Sequence, residues 1–195
     1  IKDVGSVTVQ VKATNPNYDT MEATYTLTVT PAPVTVTAND KSKVYGEDDP
    51  AFTATVTGVL DDAKISYTLS RVPGENVGSY TITPSGEEIQ GNYKVTYETG
   101  TLTITKNGTL TVTATGYTGI YDANEHGGTV TVNVTEGTTI AYKVGDGEWT
   151  TVAPKIKDVG SVTVQVKATN PNYETAEATY TLTVTPASVT VTADN

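Results

Sequence analysis

Residues 156–185 read IKDVGSVTVQVKATNPNYETAEATYTLTVT, and this stretch decides the fold. Val162, Val164 and Val166 fall on one face of an extended chain, while Thr163, Gln165 and Lys167 fall on the other. After the turn-forming Asn170-Pro171-Asn172 the alternation resumes in Tyr180, Leu182 and Val184. A strict period of two with β-branched and aromatic residues predicts two antiparallel strands, apolar side buried and Thr side in water. Working outward, the same letters open the chain. Residues 156–195 replay residues 1–40 at a spacing of 155, with 35 of 40 positions retained. The exchanges are Asp19 to Glu174, Met21 to Ala176, Pro33 to Ser188 and Asn39-Asp40 to Asp194-Asn195. So faithful an internal repeat marks a modular array.

The alternation runs through the interior as well. Val34-Val36-Ala38, Phe52-Ala54-Val56, Tyr80-Ile82, Tyr93-Val95-Tyr97, Leu102-Ile104, Val130-Val132-Val134 and Ile140-Tyr142-Val144 all follow it, with Gly, Pro and Asn turns between them. No segment carries a useful helical period, so the chain is expected to be all-β. With 195 residues it has room for one large or two small domains. Its 12 Tyr accompany no Cys, so modules must rest on packed cores rather than disulfides or thiolate zinc sites. The net charge of -10 argues against nucleic acid or an anionic membrane as partner. No apolar run approaches a membrane-spanning length.

A fainter repeat lies inside the first. Val34-Thr35-Val36-Thr37-Ala38 through Val44-Tyr45-Gly46 aligns without a gap on Leu110-Thr111-Val112-Thr113-Ala114 through Ile120-Tyr121-Asp122. Val77-Gly78-Ser79 matches Val159-Gly160-Ser161, Asn92-Tyr93 matches Asn172-Tyr173, and Leu102-Thr103-Ile104 matches Leu182-Thr183-Val184. The period is therefore two related modules of about six or seven strands each: a B-type module at 33–106 and an A-type module at 107–187. Residues 1–32 are then the C-terminal part of another A-type module, and 188–195 the start of another B-type module. A lone hairpin is marginal in water and its edge is open to capture, so residues 1–32 are expected to fray or to pair with another copy. The Pro-containing linkers 30–33 and 185–187 favour end-to-end stacking into an elongated array.

The B-type module carries Val44-Tyr45-Gly46, Asp49-Pro50, Thr57-Gly58, Val77-Gly78-Ser79-Tyr80-Thr81-Ile82, Asn92-Tyr93 and Gly100-Thr101-Leu102-Thr103-Ile104. That order of motifs resembles the MBG repeats of the Tyr-Gly type, found in long bacterial surface proteins and adhesins. The A-type module is similar but divergent, with Tyr121-Asp122 in place of Tyr-Gly. The resemblance implies tandem Ig-like antiparallel β-sandwich modules on a cell surface, and supplies no catalytic residue.

Catalysis fits poorly, since one His and no Cys leave little beyond scattered carboxylates. The acidic runs Glu47-Asp48-Asp49 and Asp61-Asp62 are the candidates for a cation, calcium being the one that takes many oxygen ligands, although neither has the spacing of a known calcium loop. A solvated turn is the competing reading. Tyr45, Tyr121, Tyr93 and Tyr173 occupy equivalent motif positions and are expected in the core with their hydroxyls bonded to backbone. Tyr117, Trp149 and His126 lie outside the shared motif and are the candidate contact residues for a ligand. Asn107-Gly108-Thr109 and Asn133-Val134-Thr135 match the glycosylation sequon, which Thr abundance alone produces readily. The leading expectation is a non-enzymatic stalk segment of a cell-wall-attached extracellular protein whose partners are neighbouring modules. The alternative is that the modules bind a host glycan or protein with avidity; a third is a β-module appended to a secreted glycan-degrading enzyme.

Overall fold

The computed structural model describes residues 1–193, and every regular element among them is a strand. Two compact units divide the chain. Unit 1 holds Ile1–Lys43, Asp48–Gly74 and Gly78–Thr103; unit 2 holds Val44–Glu47, Glu75–Val77 and the chain from Ile104 onward.

Unit 1 begins with a hairpin of β1 (Gly5–Asn15) and β2 (Tyr18–Val29), paired from Gly5↔Val29 to Asn15↔Tyr18 with a register shift after Ala13. It forms a two-stranded sheet by itself, and Val7, Val11, Tyr25 and Leu27 stand exposed on it. The segment expected to fray or pair is thus a regular hairpin with an open apolar face. The rest of unit 1 is a sandwich. One sheet contains β3 (Ala32–Ala38), β5 (Ala54–Thr57), β8 (Ile89–Gln90) and β9 (Tyr93–Glu98), in the order β5-β3-β9-β8. The other contains β4 (Lys41–Val44), β6 (Thr68–Arg71), β7 (Gly78–Ser85) and β10 (Gly100–Thr105), in the order β4-β10-β7-β6. Strand β3 runs parallel to β9 and antiparallel to β5.

Alternation places Val34, Val36, Tyr93 and Val95 inward, packed with Ala54, Val56 and Ile65. Ile82 and Leu102 are also fully buried, as is Ile104, the first residue of the last segment of unit 2. The Thr-Gly motif has a steric cause. Gly58 sits at φ +93°, and a Cβ there would lie 2.5 Å from the Pro33 carbonyl oxygen, so glycine alone satisfies both demands.

Unit 2 is built on β17 (Gly160–Asn170) and β18 (Tyr173–Thr185), paired from Gly160↔Val184 with a shift after Ala168. This is the β1–β2 register displaced by the repeat spacing. Here β15 (Thr139–Val144) joins β17 antiparallel and β12 (Tyr117–Ile120) joins β18 parallel, giving the order β12-β18-β17-β15. Two small sheets complete the unit: β11 (Val112–Thr115) with β14 (Thr129–Val132), and β13 (His126–Gly127) with β16 (Lys155–Ile156). Val164, Val166, Tyr180, Leu182 and Val184 form the core, against Val112, Ala114, Val130 and Tyr142.

The chain is all-β, made of Ig-like sandwich modules. Residues 33–106 and 107–187 contribute eight strands each once two-residue strands are included, rather than six or seven.

Candidate functional site

Three of the acidic candidates, Glu47, Asp49 and Asp61, are held by groups of their own surroundings. In unit 1, Asp49 receives Lys43 Nζ at 2.8 Å, Arg71 Nε at 2.6 Å and Arg71 Nη2 at 3.1 Å. The Arg71 and Lys43 hydrogen bonds hold the Asp49 carboxyl down at about 2, from an ordinary 3.8. Arg71 also donates to the carbonyls of Val72 and Gly74 and lies 5.5 Å from the Tyr80 ring centre. Asp61 accepts the Tyr93 hydroxyl at 2.7 Å and the Ala63 N–H at 3.0 Å, and both bonds lower its pKa. In unit 2, Glu47 Oε2 accepts the Val44 N–H at 3.0 Å, a turn-closing bond. Asp48 and Asp62 are exposed. Among the described residues, no three His, Asp, Glu or Cys side chains gather where they could share a cation.

Tyr117 and His126, nine residues apart, are brought face to face in unit 2, with ring centres 4.0 Å apart and planes inclined by 3°. His126 Nε2 meets Asp122 Oδ1 at 2.9 Å, and Asp122 also accepts the Asn124 N–H. His126 first, then Asn124, hold the Asp122 carboxyl at about 2. The intervening Ala123 takes a positive φ of 66°, so the tight turn Asp122-Ala123-Asn124 delivers the imidazole to the tyrosine.

Trp149 is elsewhere in unit 2, beside a shallow recess of about 540 Å³ edged by Gln165, Glu177 and Thr179. It is 36% exposed, and the Lys167 ammonium sits 4.3 Å over its ring. One face of each candidate aromatic is therefore already covered, Tyr117 by His126 and Trp149 by Lys167.

The motif tyrosines divide. Tyr93 is buried, but its hydroxyl donates to Asp61 and accepts the Leu60 N–H, so a carboxylate shares the role expected of backbone alone. Tyr45 and Tyr173 meet edge to face at 5.4 Å within unit 2. Tyr121 is 38% exposed and is not a core residue: it lies one residue past β12, its N–H bonded to the Thr185 carbonyl at the end of β18. Tyr180 is buried with its hydroxyl unbonded among the described residues, and burial pushes the phenol pKa up. Both sequon asparagines use their amide nitrogens internally, Asn107 on the Tyr45 carbonyl and Asn133 on the Thr109 carbonyl.

The sequence did not single out Lys43 and Arg71, which hold Asp49, or Asp122, which His126 holds; Asp49 and Asp122 are the only strongly shifted carboxyls among the described residues. The one available signal was that Arg71 is the sole arginine of the chain, set in an alternating strand.

Residues 34–103 match the family model of the MBG domain (YGX type). Among curated protein sequences none matches the chain. The solved structures it resembles include the extracellular cadherin domains 1–4 of protocadherin gamma B7, at 8% identity and a TM-score of 0.33. That match covers 93% of this chain, which spans only 58% of the protocadherin chain. The tandem Ig repeats of Dlar match at 14% identity and TM-score 0.32, covering 81% of this chain and 100% of that one. Mouse clustered PcdhgC3 EC1-3 matches at 12% identity and TM-score 0.36, covering 95% and 78%.

Proposed function

We propose that this chain is a spacer segment of a bacterial, cell-wall-attached surface protein of the adhesin type. Its modules would hold other parts of that protein away from the cell and carry out no catalysis. The observation that supports this best is the repeat: residues 1–29 and 156–184 build the same hairpin in the same register, bulge included. A spacer needs length and solubility from each copy, and both are met by cores closed on themselves and by an acidic, Thr-rich exterior. The MBG domain at residues 34–103 supports the same reading. The test is small-angle X-ray scattering on chains of one, two and three 155-residue periods. The maximum dimension is expected to rise by an equal increment with each period. Growth as a compact globule would reject the spacer.

A second reading, binding of a host glycan or protein with avidity across copies, is favoured by one feature. Trp149 stands at the edge of a recess whose rim, Gln165, Glu177 and Thr179, offers both donors and acceptors. Binding of a multi-period chain to a glycan array, lost in Trp149→Ala, would support it; an array left blank by the unaltered chain would end it.

A further inference from the structure

Two asparagines make the same pair of bonds with the same atoms. In unit 1, Asn92 Oδ1 accepts the Val4 N–H at 3.0 Å, and Asn92 Nδ2 donates to Asp3 Oδ1 at 3.1 Å. In unit 2, Asn172 Oδ1 accepts the Val77 N–H at 2.9 Å, and Asn172 Nδ2 donates to Asn76 Oδ1 at 3.0 Å. Each asparagine precedes a tyrosine, and each offers its carbonyl to a chain-linking residue: Asn92 to the Ala32 N–H and Asn172 to the Asn107 N–H. The partner is in both cases an Asx-Val-Gly turn, Asp3-Val4-Gly5 or Asn76-Val77-Gly78, with glycine φ of 146° and 157°.

The chemistry is complementary. A carboxamide offers one donor and one acceptor, and the turn offers an acceptor oxygen one residue before a donor N–H.

The chain contains a third such turn and a third such asparagine, and neither is engaged in this way among the described residues. Asp158-Val159-Gly160 repeats Asp3-Val4-Gly5 letter for letter, with Gly160 at φ 158°. Val4 and Val77 are half-buried under their asparagines, whereas Val159 is 54% exposed. Asn17 is the repeat of Asn172, and the two are set alike: the Asn17 N–H bonds Asn15 Oδ1 at 2.9 Å, and the Asn172 N–H bonds Asn170 Oδ1 at 3.0 Å. Tyr173, next to Asn172, packs on Tyr45, while Tyr18, next to Asn17, is 78% exposed.

We propose that Asp158–Gly160 and Asn17–Tyr18 are the two unfilled halves of an asparagine clamp, and that each docks a B-type module, one with the sequence pattern of residues 33–106. The turn at 158–160 receives an Asn-Tyr turn of the kind that holds Asn92. Asn17 receives an Asn-Val-Gly turn of the kind at 76–78. The filled clamps in this chain identify the occupant, since the Asp-Val-Gly turn at 3–5 is held by the B-type asparagine and the A-type asparagine holds the B-type turn. The inference rests on the chain being part of an array.

The experiment is site-resolved amide hydrogen exchange by NMR on this chain and on one extended by a further copy of residues 41–195, which continues the period. In this chain the Val4 and Val77 amides are expected to be protected and Val159 to exchange fast. In the extended chain Val159 slows by about tenfold or more, and the slowing disappears when the appended counterpart of Asn92 is replaced by Ala. A Val159 amide that stays fast, or whose slowing survives that replacement, overturns the clamp. The unextended chain gives an independent check on folded protein. Asn92→Ala is expected to release Val4 alone, with the Val34 and Val95 core amides unchanged, and Val4 remaining protected would also overturn it. If the chain lengthens evenly with each period while Val159 stays fast, the clamp fails and the spacer stands.

Discussion

Asp49 shows how a residue chosen for one chemistry serves another. Its neighbours suggested a cation site, but the cations present are side chains: Lys43, nearly buried, and Arg71, which also ties down the Gly74 loop. Asp122 and His126 form a second such pair on the turn before β13. Both carboxyls titrate at about 2 in the folded chain against 3.8 unfolded. The unfolded state therefore binds more protons as pH falls through this window. Their stabilisation is fully present above about pH 4 and is lost progressively as pH drops to about 2. Urea unfolding at about pH 6 and about pH 2.5 should show a clear loss of stability, and Asp49→Asn should make that loss smaller. Equal stability at the two pH values would contradict the ion-pair geometry. None of this was legible in the sequence, because Lys43, Asp49 and Arg71 meet only once β4 and β6 are folded.

At the scale of elements, β1–β2 and β17–β18 are nearly the same letters in the same register, yet one lies bare and the other forms a core. Val166 is 0% exposed and its counterpart Val11 is 48% exposed. Val166→Ala removes two buried methyls and should cost about 2 kcal/mol, whereas Val11→Ala should cost less than about 0.5 kcal/mol. Thermal or urea unfolding of the two variants checks this, and equal losses would mean that the first hairpin is covered in solution. The contrast also marks what the sequence could tell. Alternation in Val162-Val164-Val166 located the strand and its inward face. It could not say whether anything packs on that face, because burial depends on β11, β12 and β14 being present. Asn92-Tyr93 and Asn172-Tyr173 were visible as a shared motif, but their bonding to Asx-Val-Gly turns was not, since the partners lie 88 and 95 residues away.

For the whole molecule, two forces oppose each other. The open face of β1–β2, with Val7, Val11, Tyr25 and Leu27, favours association with another apolar surface. A net charge of -10 on each copy resists it, most strongly at low salt. Sedimentation velocity should therefore show the average mass rising with protein concentration, more steeply at high salt, and Leu27→Lys should suppress the rise. A mass independent of both variables would show that the hairpin does not self-associate.

The spacing of the Asx-Val-Gly turns has a consequence for inheritance. The Asp-Val-Gly turns at 3–5 and 158–160 are spaced by the 155-residue period, and in an array that repeats this period the asparagine equivalent to Asn92 would be spaced by it as well. Gain or loss of a whole period returns a matching asparagine to every turn. An exchange of any other length leaves one hairpin face without its strands and one turn without its clamp. The proposed clamp therefore predicts that such an array changes length in integer periods, with the folding of the joints, rather than the copying of the DNA, acting as the filter.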